Sequence, residues 1–230
     1  MSNDVIYLSN VRLSFPNIAE PRVQKNDNGQ ERIAYGADLI MPESHAGYQQ
    51  FMQVYAAKAA EKWKEHAQAA MQMIHGDRKA RCYGTAADKI DKKTYQPFAG
   101  YAGNAYITVS SKVQPQLFDP AGVLVDANNT MAYKALAMKL YGGCFVNAAI
   151  RPWIQMANRE KSYGNGIRCD LIGIQFAGDG EPFGEARPNV TGMFGQVAGA
   201  APTFGAAPAP AMPAAPTFGV PGVPSFLGGQ

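Results

Sequence analysis

Five stretches of the chain, residues 5–15, 32–41, 104–113, 144–154 and 166–176, are rich in Val, Ile, Tyr and Phe and are separated by clusters of Gly, Asn, Asp and Pro. That is the pattern of β-strands divided by turns. Alternation is sharpest in CFVNAAIRPW, where a period of two separates Cys144, Val146, Ala148 and Ile150 from Phe145, Asn147, Ala149, Arg151 and Trp153. The first set reads as core. The third stretch repeats the scheme, with Ile107 and Val109 on one side and Tyr106, Thr108, Ser110 and Lys112 on the other. Pro152 marks an edge or a bend.

Between the second and third strands the period changes to three and four. Phe51, Tyr55, Ala59, Trp63, Ala67, Ala70 and Ile74 form one apolar stripe, which predicts a helix capped by Ser44 and ended by Gly76. Its other face carries Lys58, Glu61, Lys62, Lys64 and Glu65 and reads as a solvated surface. A second helix is expected from an Asn128-Asn129 cap through Met131, Leu136 and Leu140 to Gly142-Gly143. Strands interrupted by helices without βαβ alternation give the expected class, α+β but mainly β, a five-stranded barrel with inserted helices.

Every Lys, Arg, Asp and Glu of the 230 residues lies before Pro188. Composition therefore divides the chain into a domain at 1–185 and a Pro/Ala/Gly-rich tail at 186–230. The tail carries spaced Phe194, Phe204, Phe218 and Phe226. It holds too little apolar surface to offset an ordering cost of about 1–2 kcal/mol per residue, so disorder is expected. A formal net charge of +3 does not identify a polyanion binder, since phosphate affinity follows local clusters. Cys82, Cys144 and Cys169 form no C-x-x-C pair, which fits reduced thiols rather than a disulfide frame or zinc cage. The N-terminal residues resemble no signal peptide, and no run of 18 apolar residues occurs, so a protein without a membrane anchor is expected.

Rings and cations on one strand face suit stacking of unpaired bases beside phosphate contacts. From the strands, Tyr106, Lys112, Phe145, Arg151 and Trp153 are the candidates. A second patch interleaves Arg78, Lys79, Arg81, Lys89, Lys92 and Lys93 with Tyr83, Tyr95, Phe98 and Tyr101, in a glycine-rich loop able to fold over a strand of DNA. Arg159, Lys161 and Tyr163 form a weaker version of it. For Phe145 and Trp153 the competing reading is a second core beneath a helix. Neither an H-E-x-x-H motif, a phosphate-binding G-x-x-x-x-G-K-[ST] loop nor a G-x-S-x-G elbow occurs, so no enzymatic activity, cofactor or metal is expected. Asp77, Asp88 and Asp91 would be the ligands of a metal-dependent nuclease, the last-ranked alternative. A virion structural or assembly protein is the other.

Three stretches, RLSFPNIAEP at 12–21, YGGCFVNAAIRPW at 141–153 and GIRCDLIGIQFAGDGEPFG at 166–184, resemble a family of phage single-stranded DNA-binding proteins, in order and spacing over about residues 3–185. The resemblance implies an OB-fold, single-stranded DNA as partner, and a role in phage DNA replication, recombination or repair in the cytoplasm of the infected bacterial host. It adds Arg12 and Phe15 of the first motif as DNA-binding candidates, while Pro16 and Pro21 are expected to shape a turn. Unlike the acidic tails of several such proteins, this one has no acidic residue after Glu185. Its phenylalanines are expected to dock into phage replication proteins or the protein's own stacking face. An unpaired strand edge leaves a homodimer open.

Overall fold

The computed structural model describes residues 4–25, 31–158 and 164–184. The tail and the loop residues Arg159, Lys161 and Tyr163 lie outside them. By its internal contacts the chain separates into one unit at Met1–Ala186 and another at Arg187–Gln230. In chain order the elements are β1 (Ile6–Lys25), β2 (Glu31–Met41), α1 (Ala46–Trp63), α2 (Ala67–Gly76), β3 (Tyr83–Thr85), β4 (Ala105–Ser111), β5 (Gln116–Phe118), α3 (Thr130–Ala137), β6 (Phe145–Gln155) and β7 (Gly166–Gly178).

The long strands close on themselves. β4, β2, β1, β6 and β7 pair in that order, and a parallel contact of Ser110 with Asp170 joins β7 back to β4. This is the five-stranded, OB-like barrel expected from the sequence, with helices inserted between β2 and β4 and before β6. Short strands β3 and β5, which the pattern did not reveal, extend it along β4 and β7. Alternation decides what fills the barrel: Ile6, Leu8, Leu13, Leu39, Ile107, Val109, Val146, Ala148, Ile150 and Ile167 are all at most 1% exposed. α1 lays Phe51, Tyr55 and Ala59 across this core, each fully buried.

Local details differ from expectation for identifiable reasons. α1 is capped by His45, whose Nδ1 accepts from the Gly47 N–H at 3.1 Å, not by Ser44. The stripe to Ile74 is two helices rather than one, because Lys64 takes a left-handed φ of 48° and opens a turn between them. Gly76 does end α2, and Asn129 does cap α3 by accepting from the Ala132 N–H, although α3 stops at Ala137. Pro16 and Pro21 form no turn. They sit inside β1, in the two places where its pairing register with β2 slips, and a bulge is where a strand tolerates a residue without an N–H. Beyond Ile150, β6 has lost β1 as a neighbour and pairs only with β7. Pro152 is therefore accommodated on an edge.

The thiols are core atoms. Burial pushes Cys82 up to about 12 and Cys144 up to about 11, and raises Cys169 as well. All three stay protonated at neutral pH and carry no reactive thiolate.

Candidate nucleic-acid interface

The outer face of the barrel differs in cover from one row to the next. Arg12 faces Phe145 across β1 and β6 and Ile40 across β1 and β2, and Ile40 faces Tyr106. This row is roofed. Arg12 donates to the carbonyls of Gly143 and Glu181, with Nη2 to oxygen distances of 3.0 and 2.6 Å, and its guanidinium lies 4.3 Å from the Phe183 ring centroid. Phe183 and the fully buried Tyr101 pack against Ile40 and Tyr106. Arg12 and Phe145 thus clamp the segment that follows β7 and do not line an open surface. Tyr101 (0% exposed) and Tyr83 (4%) are core rings, which corrects their assignment as stacking residues. Tyr106 is only 6% exposed. Phe145→Ala is accordingly expected to lower the thermal unfolding temperature while leaving DNA affinity unchanged within about two-fold, by the cavity argument.

The neighbouring rows are open. A groove of about 830 Å³, lined by Arg78, Lys79, Arg81, Lys89 and Arg168 above a floor of Tyr106, Thr108 and Ser110, crosses β4 and β7. A second hollow of about 330 Å³ continues it over β2 to Phe15, Arg22 and Tyr35, and the two share Lys89, Thr108 and Ser110. The result is one trough running across the strands. Its floor is narrow at Gly36, where a Cβ would stand 2.4 Å from the Val109 carbonyl oxygen. Gly36→Ala must therefore spread β2 from β4, and we expect a loss of roughly 1–3 kcal/mol in chemical denaturation.

At one rim Phe15 is held out by strain. Its φ of 47° is unusual for a bulky residue and falls where the register of β1 with β2 slips between Ser14 and Asn17, a combination that re-aims a side chain. The ring is 52% exposed and meets Phe98 edge-on at 5.5 Å. At the other rim, Trp153 faces Arg168 across β6 and β7 and is 40% exposed, with Nε1 donating to Asp170 at 2.8 Å. Arg151 pairs with the other oxygen of Asp170 at 3.2 Å. Lys92, Lys93 and Tyr95 project from the tip of the loop rooted at Lys89 and Phe98. All three are exposed, as is Lys112 just past the end of β4, and none lines the trough.

Two carboxylates anchor the cations. Asp38, the acidic residue among those lining the trough, is 3% exposed and receives the Tyr101 hydroxyl at 2.6 Å, the Thr108 hydroxyl at 2.5 Å and Lys89 Nζ at 2.6 Å. Both of its oxygens are taken. Asp88 holds Arg81 through two bonds of 2.8 and 2.9 Å and Arg78 at 3.3 Å. Burial would raise the Asp88 carboxyl, but the Arg81 hydrogen bond, the Thr85 N–H and the charges of Arg81 and Arg78 outweigh it and hold it below the usual range. A carboxyl lowered by folding contributes stability that is present above its unfolded value of about 4 and is lost as pH falls through the folded value. The difference in unfolding temperature between the protein and Asp88→Asn should thus be largest near pH 7 and shrink below about pH 4.

The three aspartates of the nuclease alternative are used otherwise. Asp77 accepts from the Lys79 N–H, Asp91 from the Lys93 N–H, and Asp88 is spent on two arginines. Among the described residues no group of three or more His, Cys, Asp or Glu could hold a metal ion, and no helix is long and apolar enough to cross a membrane. Arg22, Tyr35, Gln155 and Arg168 were missed as lining residues by sequence reasoning. Arg168 had a signal, since it alternates with the buried Ile167 and Cys169. Arg22 had none, because the run of β1 past its prolines was not visible, and Tyr35, although inside a predicted strand, lies between half-buried Ala34 and Gly36 without alternation to mark its face.

Comparison with known proteins agrees with the architecture. Protein p50 of Acyrthosiphon pisum secondary endosymbiont phage 1 is 29% identical over 180 residues, covering 77% of this chain and 85% of that one. Among solved structures, the single-stranded DNA-binding protein from bacteriophage Enc34 in complex with ssDNA superposes with a TM-score of 0.59 at 22% identity, over 80% of this chain and 91% of that one. A second structure of the single-stranded DNA-binding protein from bacteriophage Enc34 gives a TM-score of 0.55 at 22% identity, over 83% of this chain and 89% of that one. At these identities the likeness shows the fold. The family model described as Enterobacter phage Enc34, ssDNA-binding protein, matches residues 4–201, and the chain belongs to that family of phage single-stranded DNA-binding proteins.

Proposed function

We propose that this protein holds single-stranded DNA in the trough across β2, β4 and β7, without sequence preference and without chemistry on it. The observation that supports this most is the lining: five basic side chains over one groove, and beside them two carboxylates, Asp38 and Asp88, whose oxygens are occupied from within the protein. Lys79, Arg168 and Arg22 are placed for phosphates, with Arg78 and Arg81 fixed behind them by Asp88. Phe15 at one rim and Trp153 at the other offer ring faces to bases, each base stacked contributing about 1–3 kcal/mol whatever its identity. Thr108 and Ser110 supply hydroxyls to the floor.

Family membership favours this reading over the virion and nuclease alternatives, and it favours a role in protecting phage DNA during replication, recombination or repair. Fluorescence anisotropy with dT and mixed-sequence strands at two salt concentrations tests it. Comparable affinities for the two strands, both weakened by salt, are the expected result. Failure to bind either at low salt would remove the proposal.

A further inference from the structure

The trough does not end at β7. Ser110 of its floor is paired with Asp170 of β7, and Asp170 with Arg151 of β6, so one cross-strand row leads from the trough over the rim to the far side of the barrel. There β1 adds Tyr7, which faces Ala149 of β6. Ile6 and Leu8 on either side are core residues, whereas Tyr7 is 60% exposed. Cross-strand diagonals of about 7–8 Å lie within reach of long side chains, and along the outer face of β6 Arg151 stands between Ala149, which Tyr7 faces, and Trp153. Tyr7, Arg151 (53% exposed) and Trp153 therefore form an open band of ring, cation and ring. Asp170, the carboxylate in that band, has its oxygens engaged by the Trp153 Nε1 and by Arg151, so its charge is balanced locally, and the indole is anchored through its N–H while 40% exposed.

Resting on the trough as the binding site, we infer that a single strand leaving it at Arg168 continues over Trp153 and Arg151 to Tyr7, a second stacking subsite on the back of the barrel. Continuity with the trough and the chemistry of the band both fit an unpaired nucleic acid strand. A strand long enough to occupy both places binds in two segments, and a short one occupies the trough alone.

The experiment compares a dT strand of about 6 nucleotides with one of about 20, lengths on either side of the upper reach of a single OB barrel. It uses the full chain, Tyr7→Ala, Tyr7→Phe and the double variant Lys79→Ala/Arg168→Ala. Tyr7→Ala should weaken the long strand about ten-fold and leave the short one unchanged, with Tyr7→Phe restoring the loss. In a Trp63→Phe background, Trp153 emission should be quenched more by the long strand. Equal affinity of Tyr7→Ala and the parent for both strands would overturn the inference, and so would equal weakening for both. The trough is judged separately: the double variant should weaken both lengths, and if it weakens neither, the trough reading itself fails.

Discussion

Replacing Lys79 and Arg168 together by alanine is expected to lower affinity for single-stranded DNA by roughly ten- to thirty-fold at moderate salt, from the strength of charge-assisted contacts to phosphate. These two cations are chosen because their charge is not spent inside the fold. Lys79 is exposed on the rim, and the polar partner of Arg168 is the neutral amide of Gln155, reached by Nε at 3.1 Å. Arg78, Arg81 and Lys89 are by contrast tied to Asp88 or Asp38. Each phosphate neutralised on a single strand adds about 0.7 to the slope of log affinity against log salt. The double variant should therefore flatten that slope by about 1.4. A weaker but equally salt-dependent complex would mean that the losses came from altered shape, not from phosphate contacts.

The second large effect is on stability. Asp38→Ala should destabilise the fold by about 3 kcal/mol in denaturant titration, since removing one member of a buried ion pair leaves the other uncompensated. Lys89 would lose its counter-charge while only 23% exposed. The buried Tyr101 hydroxyl, whose proton loss burial and the Asp38 charge already oppose, would lose its acceptor. Asp38→Asn keeps an acceptor for one hydroxyl and should cost less. If the alanine variant matched the parent in stability, Asp38 would not be what fixes the loop bearing Lys89 over the trough.

The inner surface of the barrel was legible because a closed barrel requires an apolar residue at every second position. Cys144, Val146, Ala148 and Ile150 carried that signal, and so did Ile107 and Val109. The outer surface carries no such requirement. Phe145, Tyr101 and Trp153 are similar letters in similar surroundings, yet one is clamped, one is core and one is open. Which is which depends on where residues 98–104 and 179–183 fold back over the sheet, a tertiary fact without local periodicity. Basic residues were legible as a cluster around 78–93, but their division into anchored and available charges depends on Asp38, which lies some 40 positions earlier in the chain, and on Asp88. Lys92, Lys93 and Tyr95 were legible as an exposed loop tip, and what they touch was not. The resemblance to phage proteins supplied the class of partner, which composition with a net charge of +3 could not.

The most direct test of the central claim is to map the strand on the protein by backbone amide NMR shifts on titration with a short dT strand. The account predicts the largest changes at Lys79, Thr108, Ser110 and Arg168 and at the rim residues Phe15 and Trp153, with the α3 helix and the Arg12–Phe145 clamp silent. Saturable binding whose shifts centre on α3 or on that clamp, with Thr108 and Ser110 unmoved, would contradict it.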